Sequence, residues 1–141
     1  MRGERGQALV EAALITPVVL LIMVGIFEVS RAYQTYQVLT NAAREGARAA
    51  VVPGANKTTV QALVAKYMRD GAVEKATGET VAVDSADIVV NGTTVGGTLV
   101  TVTYPFKFLV LQPVARLVAG NRNTGAPLTM RATSLMRNEV Q

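Results

Sequence analysis

The chain has 141 residues, half of them hydrophobic, and 14 Lys and Arg against 10 Asp and Glu give it a net charge of +4. It contains no cysteine and no histidine, which excludes disulfides, thiolate metal sites, cysteine nucleophiles and the His-dependent hydrolases and zinc enzymes. The length suits one modest domain with a core. The basic residues are scattered and not interleaved with stacking aromatics, so the charge reads as a solvated surface and no nucleic-acid partner is expected.

The hydrophobic excess lies in the first third. Residues 1–6 form a short, basic, glycine-containing head, Gln7 to Glu11 follow, and Ala12 to Phe27 are sixteen residues without a charge. In a helix those sixteen span about 24 Å, short of a hydrocarbon core of about 30 Å, whereas a start at Gln7 gives about 31 Å and places Glu11 inside. A carboxylate there is expensive and points to function unless it sits at headgroup level. Arg2 and Arg5 favour a cytoplasmic N-terminus. Gly6 suits a cut on its C-terminal side, because a missing side chain lets backbone enter a tight protease site. Such a cut gives Gln7 a free ammonium that can pair with Glu11 of a neighbouring subunit. Ser30-Arg31-Ala32 also has small residues where a secretory signal peptidase would cut before Tyr33, although Glu28 and Arg31 crowd that position.

Gly6 followed by Gln7-Ala-Leu-Val-Glu11 resembles a class III prepilin signal. The longer stretch is similar to the TadE-like family, pseudopilins of tight-adherence (Tad) pilus systems. The shared features are Val10-Glu11-Ala12, Pro17, Gly25-Ile26-Phe27-Glu28, Arg31 and Asn41-Ala-Ala-Arg-Glu-Gly-Ala-Arg48, with looser similarity around Tyr104-Pro105-Phe106 and Leu128 to Met136. At Ala12 the sequence departs from an aromatic that often follows the Glu. The resemblance implies cleavage after Gly6 by a prepilin peptidase, storage in the bacterial inner membrane and a periplasmic head. It also implies partnership with other pilin subunits and the pilus assembly platform. A minor pseudopilin that initiates or supports the pilus is the expected role; a major filament subunit and a signal-anchored or secreted binding module are the alternatives.

Beyond the apolar run the pattern stays helical. Val29, Ala32/Tyr33, Tyr36, Leu39, Ala43, Ala47 and Ala50 recur at three- and four-residue steps, and no breaker appears before Pro53-Gly54. One helix over 7–52 is expected, about 65 Å long, with the anchor over about 7–28 and an amphipathic continuation over 29–52. Pro17 should kink or loosen it. Ala42, Ala43, Gly46 and Ala47 permit close helix packing, on the chain's own head or on another subunit.

Residues 53–141 read as an α+β head. Thr58-x-x-Gln61 has the form of a capping box, Val60, Leu63, Val64, Tyr67 and Met68 share a helix face, and Gly71 closes the helix. Strands are expected over 80–83, 87–90, 99–106 and 128–136, with turns at Asn91-Gly92 and Gly96-Gly97 and a short helix near 112–118. In the last strand Leu128, Met130, Ala132 and Met136 alternate with Thr129, Arg131, Thr133 and Arg137, the signature of a sheet with one wet side. The fold class is therefore α+β and type IV pilin-like: a long N-terminal helix on a three- to four-stranded antiparallel sheet. Asp84 and Asp87, flanking Ser-Ala, are a weak calcium candidate with Asn91. No cofactor, small-molecule substrate or enzymatic activity is expected.

Overall fold

The computed structural model describes residues 2–90, 92–119 and 127–138. Helix α1 (Arg2–Ala50) is followed by α2 (Lys57–Asp70), β1 (Thr80–Val90), β2 (Thr93–Phe106), α3 (Leu111–Ala119) and β3 (Leu128–Arg137). The strands form one antiparallel sheet in the order β1-β2-β3. This is the expected α+β fold, with three strands among the described residues. The chain divides into two compact units: residues 1–32 with 107–126, and 33–106 with 127–141.

The second unit holds the core. Leu39, Ala42, Ala43 and Ala47 of α1, Val60, Val64 and Met68 of α2, and Val83, Val100, Val102, Phe106, Met130 and Ala132 of the sheet are buried. Alternation along β2 and β3 sets this face, because successive strand side chains point to opposite sides. Val81, Val102 and Ala132 are cross-strand partners, as are Val83, Val100 and Ser134. The opposite face carries Thr103 between Thr80 and Arg131, and Thr101 between Ala82 and Thr133. Of the inward set expected for the last strand, Met130 and Ala132 are buried and Met136 is half-buried, but Leu128 at the strand's start is exposed; Thr129, Arg131, Thr133 and Arg137 are exposed as expected.

The expected α2 start is corrected. Asn56, in extended conformation (φ −101°, ψ 135°), is the N-cap, and its Oδ1 accepts the Thr58 N–H at 2.9 Å. Gln61 does not reach back to close a capping box; its Nε2 donates to the Val81 carbonyl of β1 at 2.9 Å. The cap moved because Asn56 offers the better side-chain acceptor two residues earlier.

The end of α2 separates two jobs that one glycine was expected to do. The Ala72 N–H donates to Arg69 O and the Val73 N–H to Met68 O, the paired bonds of a Schellman ending. Its left-handed residue is Ala72 (φ +60°), while Gly71 has φ −82°. Gly71 serves packing instead: a Cβ there would lie 2.6 Å from Val38 Cγ1 of α1.

Two expected strands are one. β1 runs through Asp84-Ser-Ala-Asp87, pairing Asp84 with Leu99 and Asp87 with Gly96. The anticipated Ser-Ala turn is absent, because the β2 backbone opposite satisfies this segment's hydrogen bonds and so favours continued pairing. Three residues apart on a strand, Asp84 and Asp87 point to opposite faces and cannot converge on one calcium ion. Asn91, the third candidate ligand, lies outside the described residues. Gly96-Gly97 is also strand, not turn. Gly97 faces Ala86 and Arg137, and a Cβ on it would meet Ile88 Cδ1 at 2.6 Å and Met136 O at 2.9 Å. The hairpin turn falls where Val90 pairs with Thr93, and Gly92 has the positive φ (+79°) that such a two-residue loop needs.

Candidate functional site: an exposed apolar helix and a buried Glu28

From Gly6 to Phe27 the first half of α1 is uncharged except at Glu11. Its large apolar residues from Leu9 to Phe27 are exposed, apart from the half-buried Val24. Among the described residues one helix is long and apolar enough to cross a membrane, and the relevant stretch is not buried within the chain. Its polar groups are arranged for such surroundings. The Thr16 hydroxyl donates to Ala12 O at 2.7 Å and the Ser30 hydroxyl to Ile26 O at 2.9 Å, so both are satisfied by the helix's own backbone. Pro17 lies within the assigned helix, and its missing N–H leaves the Ala13 carbonyl without the usual bond.

Gly6 and Gln7 are in helical conformation near the start of α1. Nothing lies within 4 Å of where a Cβ on Gly6 would stand, so no contact among the described atoms accounts for glycine there. Glu11 is exposed, with no hydrogen-bond or ion-pair partner among the described residues. Ala42, Ala43, Gly46 and Ala47, by contrast, are all buried in the second unit. A Cβ on Gly46 would stand 2.5 Å from Val64 Cγ2 and 3.3 Å from Val100 Cγ1. The small residues therefore let α2 and β2 approach α1, and are spent on the chain's own core.

The early part of the expected apolar stripe is corrected. Val29, Tyr33 and Tyr36 are exposed, while Glu28, Leu39, Ala42, Ala43 and Ala47 are buried and Ala50 is half-buried. What selects this face near its start is polar. Glu28 is only 1% exposed. One carboxylate oxygen accepts the Val110 N–H at 2.5 Å and the other the Leu111 N–H at 3.3 Å. Arg31, one helical turn along the same face, donates from Nη2 to the Lys107 carbonyl at 2.5 Å.

Those contacts build the start of α3. The first turn of a helix leaves N–H groups without intrahelical partners. Glu28 takes those of Val110 and Leu111, Pro113 has none to satisfy, and the first internal bond runs from Val114 N to Val110 O at 3.1 Å. A carboxylate at a helix N-terminus is also favoured by the helix dipole. Sequence reasoning placed Glu28 and Arg31 in a shared motif but missed this role. The available signal was two opposite charges three residues apart directly after an uncharged run.

The fold and this segment define a class: an α+β protein with one N-terminal helix able to cross a membrane. Residues 6–48 match the model of the family described as TadE-like protein, so this segment is similar to that family. The match contains Gly6, Glu11, Pro17, Glu28 and Arg31, and does not extend to Tyr104-Pro105-Phe106 or to β3. No curated protein and no solved structure matches the chain.

Proposed function

We propose that this chain is a minor pseudopilin of a Tad-type pilus machine, stored in the bacterial inner membrane by α1 with its N-terminus cytoplasmic and its head periplasmic. A prepilin peptidase cuts after Gly6. The new Gln7 ammonium then pairs with Glu11 of an adjacent subunit as helices gather during assembly. The observation that carries this reading is Glu11 itself. It is the one charge between Gly6 and Glu28, lies five positions beyond a glycine that packing does not explain, and has no partner among the described residues. Burying it in a helical bundle requires a counter-charge from outside the chain's described contacts.

The rival cut before Tyr33 fits less well, because it would remove Glu28 and Arg31 and with them the hydrogen bonds to residues 107–111. Mass spectrometry of the mature protein tests the processing. An N-terminus at Gln7 is expected, and one at Tyr33 or an intact Met1 would overturn it. Gly6→Val should block the cut. Glu11→Ala should leave cleavage intact and impair assembly, and normal assembly in that variant would remove the pairing role.

A further inference from the structure

We propose that α3 is an interfacial helix that lies in the headgroup layer of the bilayer that α1 crosses, with an anionic lipid surface as its partner. This rests on reading α1 as a membrane span.

The placement comes from Glu28. It is the first residue after the uncharged run that ends at Phe27, so it stands where the span meets the headgroups. Its carboxylate holds the Val110 and Leu111 N–H groups, so the N-terminus of α3 begins at the same level. Residues 107–126 belong to the same compact unit as the apolar half of α1. The proposed lipid contact thus continues the one α1 already makes.

The composition of α3 suits that position. At 100° per residue Val110, Pro113, Val114 and Leu117 share one face, while Gln112 and Arg116 lie on the other. Most of the apolar face is left uncovered: Leu117 is 84% exposed, Val110 42%, and Leu109 in the preceding turn 63%, with Val114 half-buried. A short helix with one apolar face and cationic flanks lies in the interface plane with that face toward the acyl chains. Lys107 and Arg116, both exposed, flank it, and cations at that depth favour anionic lipid. Nine residues are too few for a stable isolated helix in water. The carboxylate cap and the lipid surface together account for its formation.

The chain has no tryptophan, so Leu117→Trp introduces a sole indole at an exposed position. The full-length variant is reconstituted in phosphatidylglycerol–phosphatidylcholine vesicles, with and without acyl chains brominated near the headgroup. Ile22→Trp, within the span, is the reference. The expected result is blue-shifted Leu117→Trp emission that loses intensity in brominated lipid, with a smaller loss when phosphatidylcholine is the only lipid. Quenching at Ile22→Trp with water-like, unquenched emission at Leu117→Trp would overturn the interfacial helix and leave the span intact. Blue-shifted but unquenched emission at Leu117→Trp would mean that protein covers this face, which also overturns it. Equal quenching without phosphatidylglycerol would remove the anionic preference. No quenching at Ile22→Trp would overturn the span, and this inference with it.

Discussion

Replacing Glu28 by alanine should release α3 while leaving the sheet intact. The substitution removes both acceptors for the Val110 and Leu111 N–H groups, which are 82 and 83 residues away in sequence. Hydrogen bonds to a charged partner contribute about 1.5–3 kcal/mol each. Relief of the buried carboxylate's desolvation offsets part of that. The loss of an N-cap costs about 0.5–2 kcal/mol. A net fall of about 1–3 kcal/mol in the local opening free energy follows, equivalent to about 5- to 150-fold faster amide exchange. Hydrogen–deuterium exchange on the full chain in detergent reads this directly. Peptides covering 107–119 should exchange faster, and those from β2 should not, because none of its backbone bonds involves Glu28. Glu28→Gln retains an acceptor oxygen and should fall between wild type and Glu28→Ala. Unchanged exchange over 107–119 in Glu28→Ala would refute the clamp, and a uniform increase across the chain would show that Glu28 supports the fold as a whole.

Substitutions at three further places test the packing and the ends of α2. Gly46→Ala places a methyl 2.5 Å from Val64 Cγ2 and should destabilise by about 1–3 kcal/mol; the melting temperature checks this, and Val64→Ala in the same chain should recover part of the loss. Gly71→Ala should destabilise through Val38, whereas Ala72→Gly should stabilise by about 1 kcal/mol by removing the left-handed strain. If instead Gly71→Ala proves harmless, the close approach to Val38 has been misjudged. Asn56→Ala removes the acceptor for Thr58 N–H and should cost about 1 kcal/mol in chemical denaturation, with Thr58→Ala nearly neutral at the cap.

Much of the framework was legible because it depends on neighbours in sequence. The apolar run and the absence of a breaker announce α1, the i, i+4 positions Val60, Val64 and Met68 announce α2, and alternation from Leu128 onward announces β3. The spacing of Gly6 and Glu11 is likewise local. Errors arose where a local motif had a competitor. Thr58 and Gln61 matched a capping pattern, but Asn56 supplied the cap and Gln61 had a carbonyl in reach on β1. Asp84 to Asp87 and Gly96-Gly97 carry turn residues, but they lie opposite each other in the β1–β2 ladder, where pairing satisfies both backbones.

Which face of α1 turns inward was not open to local reasoning. Hydrophobicity favoured Val29, Tyr33 and Tyr36, yet Glu28 is the side chain buried, because its partners are N–H groups that the chain delivers from beyond β2. A buried carboxylate is tolerated only when hydrogen-bonded, and nothing within a helix's own period reveals whether a distant segment will meet that need. Likewise, sequence marks Ala42, Ala43, Gly46 and Ala47 as a surface for close approach. Only the folded chain determines that Val64 and Val100 make that approach. Composition and period thus determine that a helix exists and how far it runs, while long-range complementarity determines what it touches.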